Sequence, residues 1–130
     1  QVRRGRVEKR DVLQHYLKNI LRFIDIGRIK PLKVIVDTGN GAAGPIVKEL
    51  NKRLPITLIH LFPEMDGNYP NHQPNPIQPA ATAVLQEKII KRKADFGVAF
   101  DGDGDRILFI DEKGERIRHR PVQAAYRSPG

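Results

Sequence analysis

An α/β fold, a small mixed sheet of four strands with helices packed on it, is predicted by three features of the sequence. Short apolar or β-branched runs alternate with stretches of helical periodicity in the order strand, helix, strand, helix, strand. The links between the first three strands are long enough for crossover helices, which makes those strands parallel. Only the short run 101–106 separates the last strand from its predecessor, too little for a crossover, so that strand runs antiparallel. A chain of 130 residues suits one domain with a single core.

Residues 1–10 form a polar, basic arm without periodicity. From Asp11, a candidate helix cap, apolar residues fall at Val12, Leu13, Tyr16, Leu17, Ile20, Leu21 and Ile24, the spacing of one helical face that Gly27 is placed to end. His15 lies beside that stripe and reads as structural. Lys33-Val34-Ile35-Val36-Asp37 reads as a buried strand. A glycine turn, Thr38 to Gly44, leads through Pro45 into a helix with an apolar face of Ile46, Val47, Leu50 and Leu54, stopped by Pro55. Ile56 to Leu61 is the second strand. An irregular segment follows, with prolines at 63, 70, 74, 76 and 79; a loop of that length tends to be functional or disordered. Ala80 to Lys91 is a helix expected to bury Ala81, Val84, Leu85, Ile89 and the stem of Lys88. Phe96 to Phe100 and Ile107 to Ile110 are the last two strands, with a turn at Glu112-Lys113-Gly114 after them. The domain is thus read as 11–117, between the arm at 1–10 and a tail at 118–130.

The chain has no cysteine, which excludes disulfides and thiolate metal sites and is compatible with a reducing cytoplasm. No apolar run approaches the roughly 20 residues that span a bilayer, and no signal peptide is visible, so no membrane association is expected. Gln1 at the start and a lone methionine, Met65, predict a piece of a longer polypeptide. The net charge of +8 raises the question of nucleic acid. The basic excess lies at the ends: residues 1–33 hold ten Lys or Arg against three acids, and Arg116, Arg118, Arg120 and Arg127 close the chain. There is no tryptophan for base stacking and no zinc-finger, RNP-like or helix-turn-helix pattern. A basic module using the arm and tail stays an alternative, and the favoured expectation is no nucleic-acid partner.

The informative stretch is Asp101-Gly102-Asp103-Gly104-Asp105-Arg106, set between two strands. Three carboxylates so close together repel one another, and some must protonate unless a cation joins them. Oxygen donors suit a hard divalent ion such as Mg²⁺. The glycines permit φ > 0, which lets alternate side chains converge. An EF-hand loop has Asp101, Asp103, Asp105 and Glu112 at the right offsets, but it needs glycine where Arg106 stands and helices where strands are expected. An aspartyl-phosphate phosphotransferase, with Asp101 as nucleophile and Asp103 as general acid, is the other enzymatic reading. A plain Asp-Gly hairpin turn does not require three acids and an arginine.

Gly39-Asn40-Gly41-Ala42-Ala43-Gly44 matches G-x-G-x-x-G after a strand, with Glu64 at the acidic position downstream. Asp37 would set its charge against a pyrophosphate, however, and the chain has room for only half a dinucleotide fold. A tight strand-to-helix turn is the better reading.

Together, Asp101-Gly102-Asp103-Gly104-Asp105-Arg106, Val36 to Pro45 and Pro70-Asn71-His72-Gln73-Pro74-Asn75-Pro76 resemble the α-D-phosphohexomutases. The resemblance covers about residues 30–116, matches the second of that family's four domains, and is nearer the phosphomannomutase/phosphoglucomutase branch than the phosphoglucosamine mutases. It implies a parent enzyme that interconverts hexose 1- and 6-phosphates through a phosphoserine and a bisphosphate intermediate. By position, it implies Asp101, Asp103 and Asp105 as Mg²⁺ ligands and Arg106 as the contact to the phosphoserine. The partners implied are a hexose phosphate, met through the missing domains, and those other domains of the parent chain. The family's serine loop has no counterpart here, since Ser128 in the tail is the only serine, and neither have its sugar-recognition and phosphate-binding loops. The isolated piece is therefore expected to be inactive. After Ile117 the tail departs from the family, as truncation or appended sequence would make it.

Overall fold

The computed structural model describes residues 4–118. Residues 4–10 carry no helix or strand, and the expectation for the tail falls, apart from Arg118, outside the described residues. The elements run α1 (Leu13–Leu21), a 3-10 turn (Ile26–Arg28), β1 (Lys33–Asp37), α2 (Gly44–Asn51), β2 (Thr57–Leu61), α3 (Pro79–Arg92), β3 (Phe96–Phe100) and β4 (Ile107–Ile110). The sheet order is β2-β1-β3-β4. β1 pairs parallel with β2 and with β3, setting Asp37 opposite Leu61 and Ala99. β4 pairs antiparallel with β3, with Phe100 opposite Ile107. The mixed sheet is the expected one, and connection length dictates it: two helical crossovers, then a short reversal.

β1 buries residues on both faces because the sheet is covered on both. Val34 and Val36 join Val47 of α2 and Val98 of β3 on one side. Ile35 joins Leu85 and Ile89 of α3, with Ala99 and Ile110, on the other. Alternation along a strand sends neighbouring side chains to opposite faces, so a strand buried twice reads as a continuous apolar run.

Several expectations about the helices need correction. α1 ends at Leu21, with Arg22 as its last cap, and Gly27 sits in the separate 3-10 turn, where its N–H donates to Asp25 Oδ1. Of the α1 stripe only Leu17 is fully buried, while Val12, Tyr16 and Ile24 are exposed, because the helix packs along α2 and not under the sheet. On α3, Val84 is exposed, and Thr82 takes its place among the buried residues. The buried line of that helix runs through Leu85 and Ile89, and the 100° step per residue turns Val84 away from it. α2 ends at Asn51, short of Leu54, although Leu54 N–H still bonds Leu50 O at 3.0 Å. Val12 and not Asp11 stands at the N-cap of α1, although Asp11 Oδ1 accepts from Leu13 N–H at 3.0 Å, and His15 is exposed.

Among the described residues, open apolar surface includes a groove and a strand edge. An apolar groove of about 310 Å³ runs between α2 and the sheet, lined by residues that include Leu32, Leu54, Ile56, Phe96 and Phe100. On the edge strand, Ile107 and Phe109 are exposed. No helix among the described residues is long and apolar enough to cross a membrane.

Candidate metal centre

β1 and β3 run parallel and side by side, so their C-terminal ends deliver Asp37 and Asp101 to one edge of the sheet. Asp101 follows the last residue of β3 and is 3% exposed. Asp103 and Asp105 are exposed on the loop that turns back into β4. Each of the three aspartates offers an oxygen, and these oxygens lie within 4.8 Å of one another. All three acidic residues singled out from the sequence are thus brought together.

Arg106 fixes the buried member. Its backbone N–H donates to Asp101 Oδ1 at 3.1 Å and its Nε–H to Oδ2 at 2.8 Å. Asp101 N–H donates to Arg106 O at 3.3 Å, and Gly104 N–H to Asp101 O at 3.2 Å. Burial pushes the Asp101 carboxyl up, but the Arg106 side-chain and backbone donors outweigh it and bring the group down to about 2. The carboxyls of Asp101 and Asp103 beside Asp105 push that exposed group up to about 6. Hydrogen bonding to those two carboxyls leads, with burial and their negative charge adding to it, so Asp105 holds its proton, as the crowding of three acids anticipated. Among the described residues no hydrogen bond takes the Arg106 Nη groups, and the side chain is half exposed.

The donor set fits a hard divalent cation: three carboxylates, oxygen only, carrying a repulsion that a positive ion relieves. Octahedral Mg²⁺ sets adjacent ligands about 3.0 Å apart, √2 times a bond of about 2.1 Å. The two exposed carboxylates therefore have to draw in toward Asp101, a movement that rotation of exposed side chains supplies. Of the two loop glycines only Gly104 has a positive φ, 75°. At Gly102 a Cβ would lie 2.8 Å from the Tyr69 hydroxyl, so that side chain would have to give way.

Most amides of the glycine turn at 38–44 are committed to the protein itself. Gly39 N–H donates to Asp37 Oδ1, Asn40 N–H to Phe62 O, Gly41 N–H to Thr38 O, Ala42 N–H to Gly102 O and Gly44 N–H to Gly41 O. A phosphate cradle needs such groups free, so the superficial dinucleotide match has its explanation in packing. Ala42 N–H meets Gly102 O at 2.9 Å, and this turn is one wall of the aspartate loop.

Several residues that bear on the site were not singled out from the sequence. Asp37 is 1% exposed. It accepts from Gly39 N–H at 2.8 Å and faces His72 Nε2 at 2.9 and 3.1 Å. Burial raises the Asp37 carboxyl, with His72 and the Gly39 amide opposing. Thr38 donates to Phe62 O at 3.1 Å and accepts from His60 Nε2 at 2.8 Å, and burial lowers His60. Asn40, at φ 60°, donates to Glu64 O and accepts from Asn71 Nδ2, both at 2.8 Å. The one available signal was a charged residue closing an apolar strand, Val36-Asp37, with its histidine partner 35 residues away in sequence.

Comparison with known proteins agrees with this architecture. Residues 14–114 match the family model described as phosphoglucomutase/phosphomannomutase, alpha/beta/alpha domain II. A phosphomannomutase of Vibrio cholerae is 40% identical over 119 residues, covering 88% of this chain and 26% of the relative. A phosphomannomutase/phosphoglucomutase of Pseudomonas putida is 46% identical over 113 residues, covering 87% and 24%. The crystal structure of a phosphoglucomutase/phosphomannomutase family protein from Burkholderia thailandensis superposes with a TM-score of 0.74 at 41% identity, over 85% of this chain and 24% of that one. The chain therefore spans about a quarter of the length of these relatives. It belongs to the phosphoglucomutase/phosphomannomutase family and corresponds to that family's α/β/α domain II.

Proposed function

We propose that this chain is the metal-binding domain of a phosphohexomutase that interconverts the 1- and 6-phosphates of mannose or glucose through a phosphoserine and a bisphosphate intermediate. Asp101, Asp103 and Asp105 are assigned as Mg²⁺ ligands and Arg106 as the contact to the phosphoserine. The observation that carries this reading is the convergence of three carboxylate oxygens within 4.8 Å at the tip of a β3–β4 reversal, in a domain of this family. The relatives' own names, phosphomannomutase and phosphoglucomutase, support the reaction.

When bound, the cation supplies positive charge that neutralises and orients phosphoryl oxygens, the main requirement of phosphoryl transfer. Asp101 is the preset ligand, ionised and locked by Arg106 at both oxygens. That locking favours an oriented ligand over the free nucleophile that an aspartyl-phosphate reaction needs. Asp103 and Asp105 are free to close on the ion. Arg106 spends its Nε on Asp101 and keeps its Nη pair, which suits bidentate recognition of a phosphate. The serine and the sugar-recognition and phosphate-binding loops are assigned to other domains of the parent chain, which meet the hexose phosphate. The isolated chain is accordingly proposed to be inactive and to bind Mg²⁺ weakly. The reading places the parent in the cytoplasm and needs neither nucleic acid nor membrane.

The test is the complete open reading frame containing this chain. Expressed whole, the enzyme should interconvert hexose 1- and 6-phosphates with Mg²⁺, and Asp103→Asn should lose most of that turnover while keeping its circular dichroism and melting curve. Wild-type turnover in Asp103→Asn overturns the ligand assignment. Phosphate trapped covalently on Asp101 would favour the aspartyl-phosphate reaction. A metal that survives EDTA in the isolated chain contradicts a site completed by another domain.

A further inference from the structure

The aspartate loop is held from outside as well as by its own hydrogen bonds. Gly102, between two of the carboxylates, is gripped on both polar groups: its N–H donates to Pro74 O at 3.2 Å, and its C=O accepts from Ala42 N–H at 2.9 Å. One grip comes from the glycine turn and the other from the proline-rich segment 70–76. Those two walls are tied together by the buried Asp37–His72 pair. His72 presents Nε2 to both Asp37 oxygens, at 2.9 and 3.1 Å, and donates from Nδ1 to Gln73 O at 2.8 Å. Its ring stands edge-on to Phe62, with centroids 5.3 Å apart. A second tie, Asn71 Nδ2 to Asn40 Oδ1 at 2.8 Å, lies one residue away.

We propose that His72, acting through Asp37, is a positioning residue for the cation site. It anchors segment 70–76 at the height from which Pro74 O holds Gly102, and so sets how far apart the Asp101 and Asp103 carboxylates stand. The inference rests on the assignment of a cation to those aspartates. A buried carboxylate must keep its donors. Without His72, Asp37 retains only the Gly39 N–H among its contacts here, and segment 70–76 loses its strongest anchor. The oxygens of Asp101 and Asp103 then sample a wider range of separations, and an ion must order them at its own expense. Outer contacts that orient ligands are worth on the order of tenfold or more in metal affinity.

Mn²⁺ titration of the 130-residue chain, followed by electron paramagnetic resonance well below each variant's melting temperature, tests this. His72→Ala should weaken Mn²⁺ binding about tenfold and speed hydrogen exchange at the Gly102 amide. His72→Gln, which keeps a donor for Asp37, should recover part of both. Leu85→Ala, in the core on the α3 face, should lower the melting temperature and leave Mn²⁺ affinity unchanged. Wild-type affinity in His72→Ala overturns the proposal, as does an equal loss in Leu85→Ala, which would reduce the effect to general stability. If His72→Ala fails to fold, Asn71→Ala loosens the same segment at an exposed position and must weaken Mn²⁺ binding; wild-type affinity there also overturns it. Failure of the underlying assignment looks different: Asp103→Asn would then bind Mn²⁺ as well as the wild type, whatever stands at position 72.

Discussion

Gly41→Ala probes whether the glycine turn and the aspartate loop form one unit. A Cβ at position 41 would lie 2.7 Å from Gly102 O, 3.0 Å from Thr38 O and 3.1 Å from Gly102 Cα. All three are backbone atoms, which no rotamer change can move aside. Ordinary contact begins near 3.4 Å, so the aspartate loop has to retreat by about 0.7 Å at its closest point. That retreat stretches the 2.9 Å bond from Ala42 N–H to Gly102 O past useful range. The lost bond costs about 1 kcal/mol and the residual overlap about 1–3 kcal/mol. A total of roughly 2–4 kcal/mol is a large share of the 5–15 kcal/mol typical of a domain. Urea unfolding of the metal-free chain should show the midpoint falling with the slope unchanged, and divalent-cation affinity should fall with it. A Gly41→Ala chain with the wild-type midpoint and wild-type affinity refutes the contact between the two walls. A stability loss with affinity intact would separate the turn from the cation site.

Asp105 gives a pH signature. Its folded value of about 6 lies above the ordinary 3.8, so its contribution to metal-free stability is complete below the ordinary value and is lost as the pH rises from there to about 6. Asp105→Asn should lack that loss; parallel urea midpoints for the two chains between pH 4 and 7, in EDTA, would refute it. Cation binding expels the same proton, so affinity should rise over that window in the wild type, and calorimetric titrations at the two ends check it. Leu85→Ala, at a position with no exposure, should destabilise by about 2–5 kcal/mol, and a loss below about 1 kcal/mol would mean the α3 face collapses to fill the space. Thr38→Val leaves Phe62 O with the Asn40 N–H alone and takes from His60 Nε2 its acceptor and should cost about 1–3 kcal/mol; an unchanged midpoint would count against the buried pairing.

The sheet and its strand directions were legible because they follow from local pattern and connection length. Val34-Ile35-Val36 and Gly97-Val98-Ala99 are short, apolar and punctuated, and the run 101–106 is too brief to cross over. The end of α1 was harder. Its apolar spacing continues to Ile24, yet the helix stops at Leu21, because a helical face beyond its partner α2 gains little by continuing. Val84 departs from its expected burial for a related reason: α3 offers more apolar positions than its buried line can use. The gathering of the three aspartates was readable from their spacing. The braces at Asp37, His72, Asn40, Asn71 and Pro74 were not, since each joins segments far apart in the chain.

Periodicity and connection length, then, settle the order of elements, the parallel and antiparallel pairings and the place where negative charge accumulates, because backbone geometry and side-chain repulsion act over a few residues. What holds the charged tip in one shape was decided only when β1 and β3 came to lie side by side. The glycine turn, the proline-rich segment and the aspartate loop then met, and buried polar groups found partners that no local rule could name.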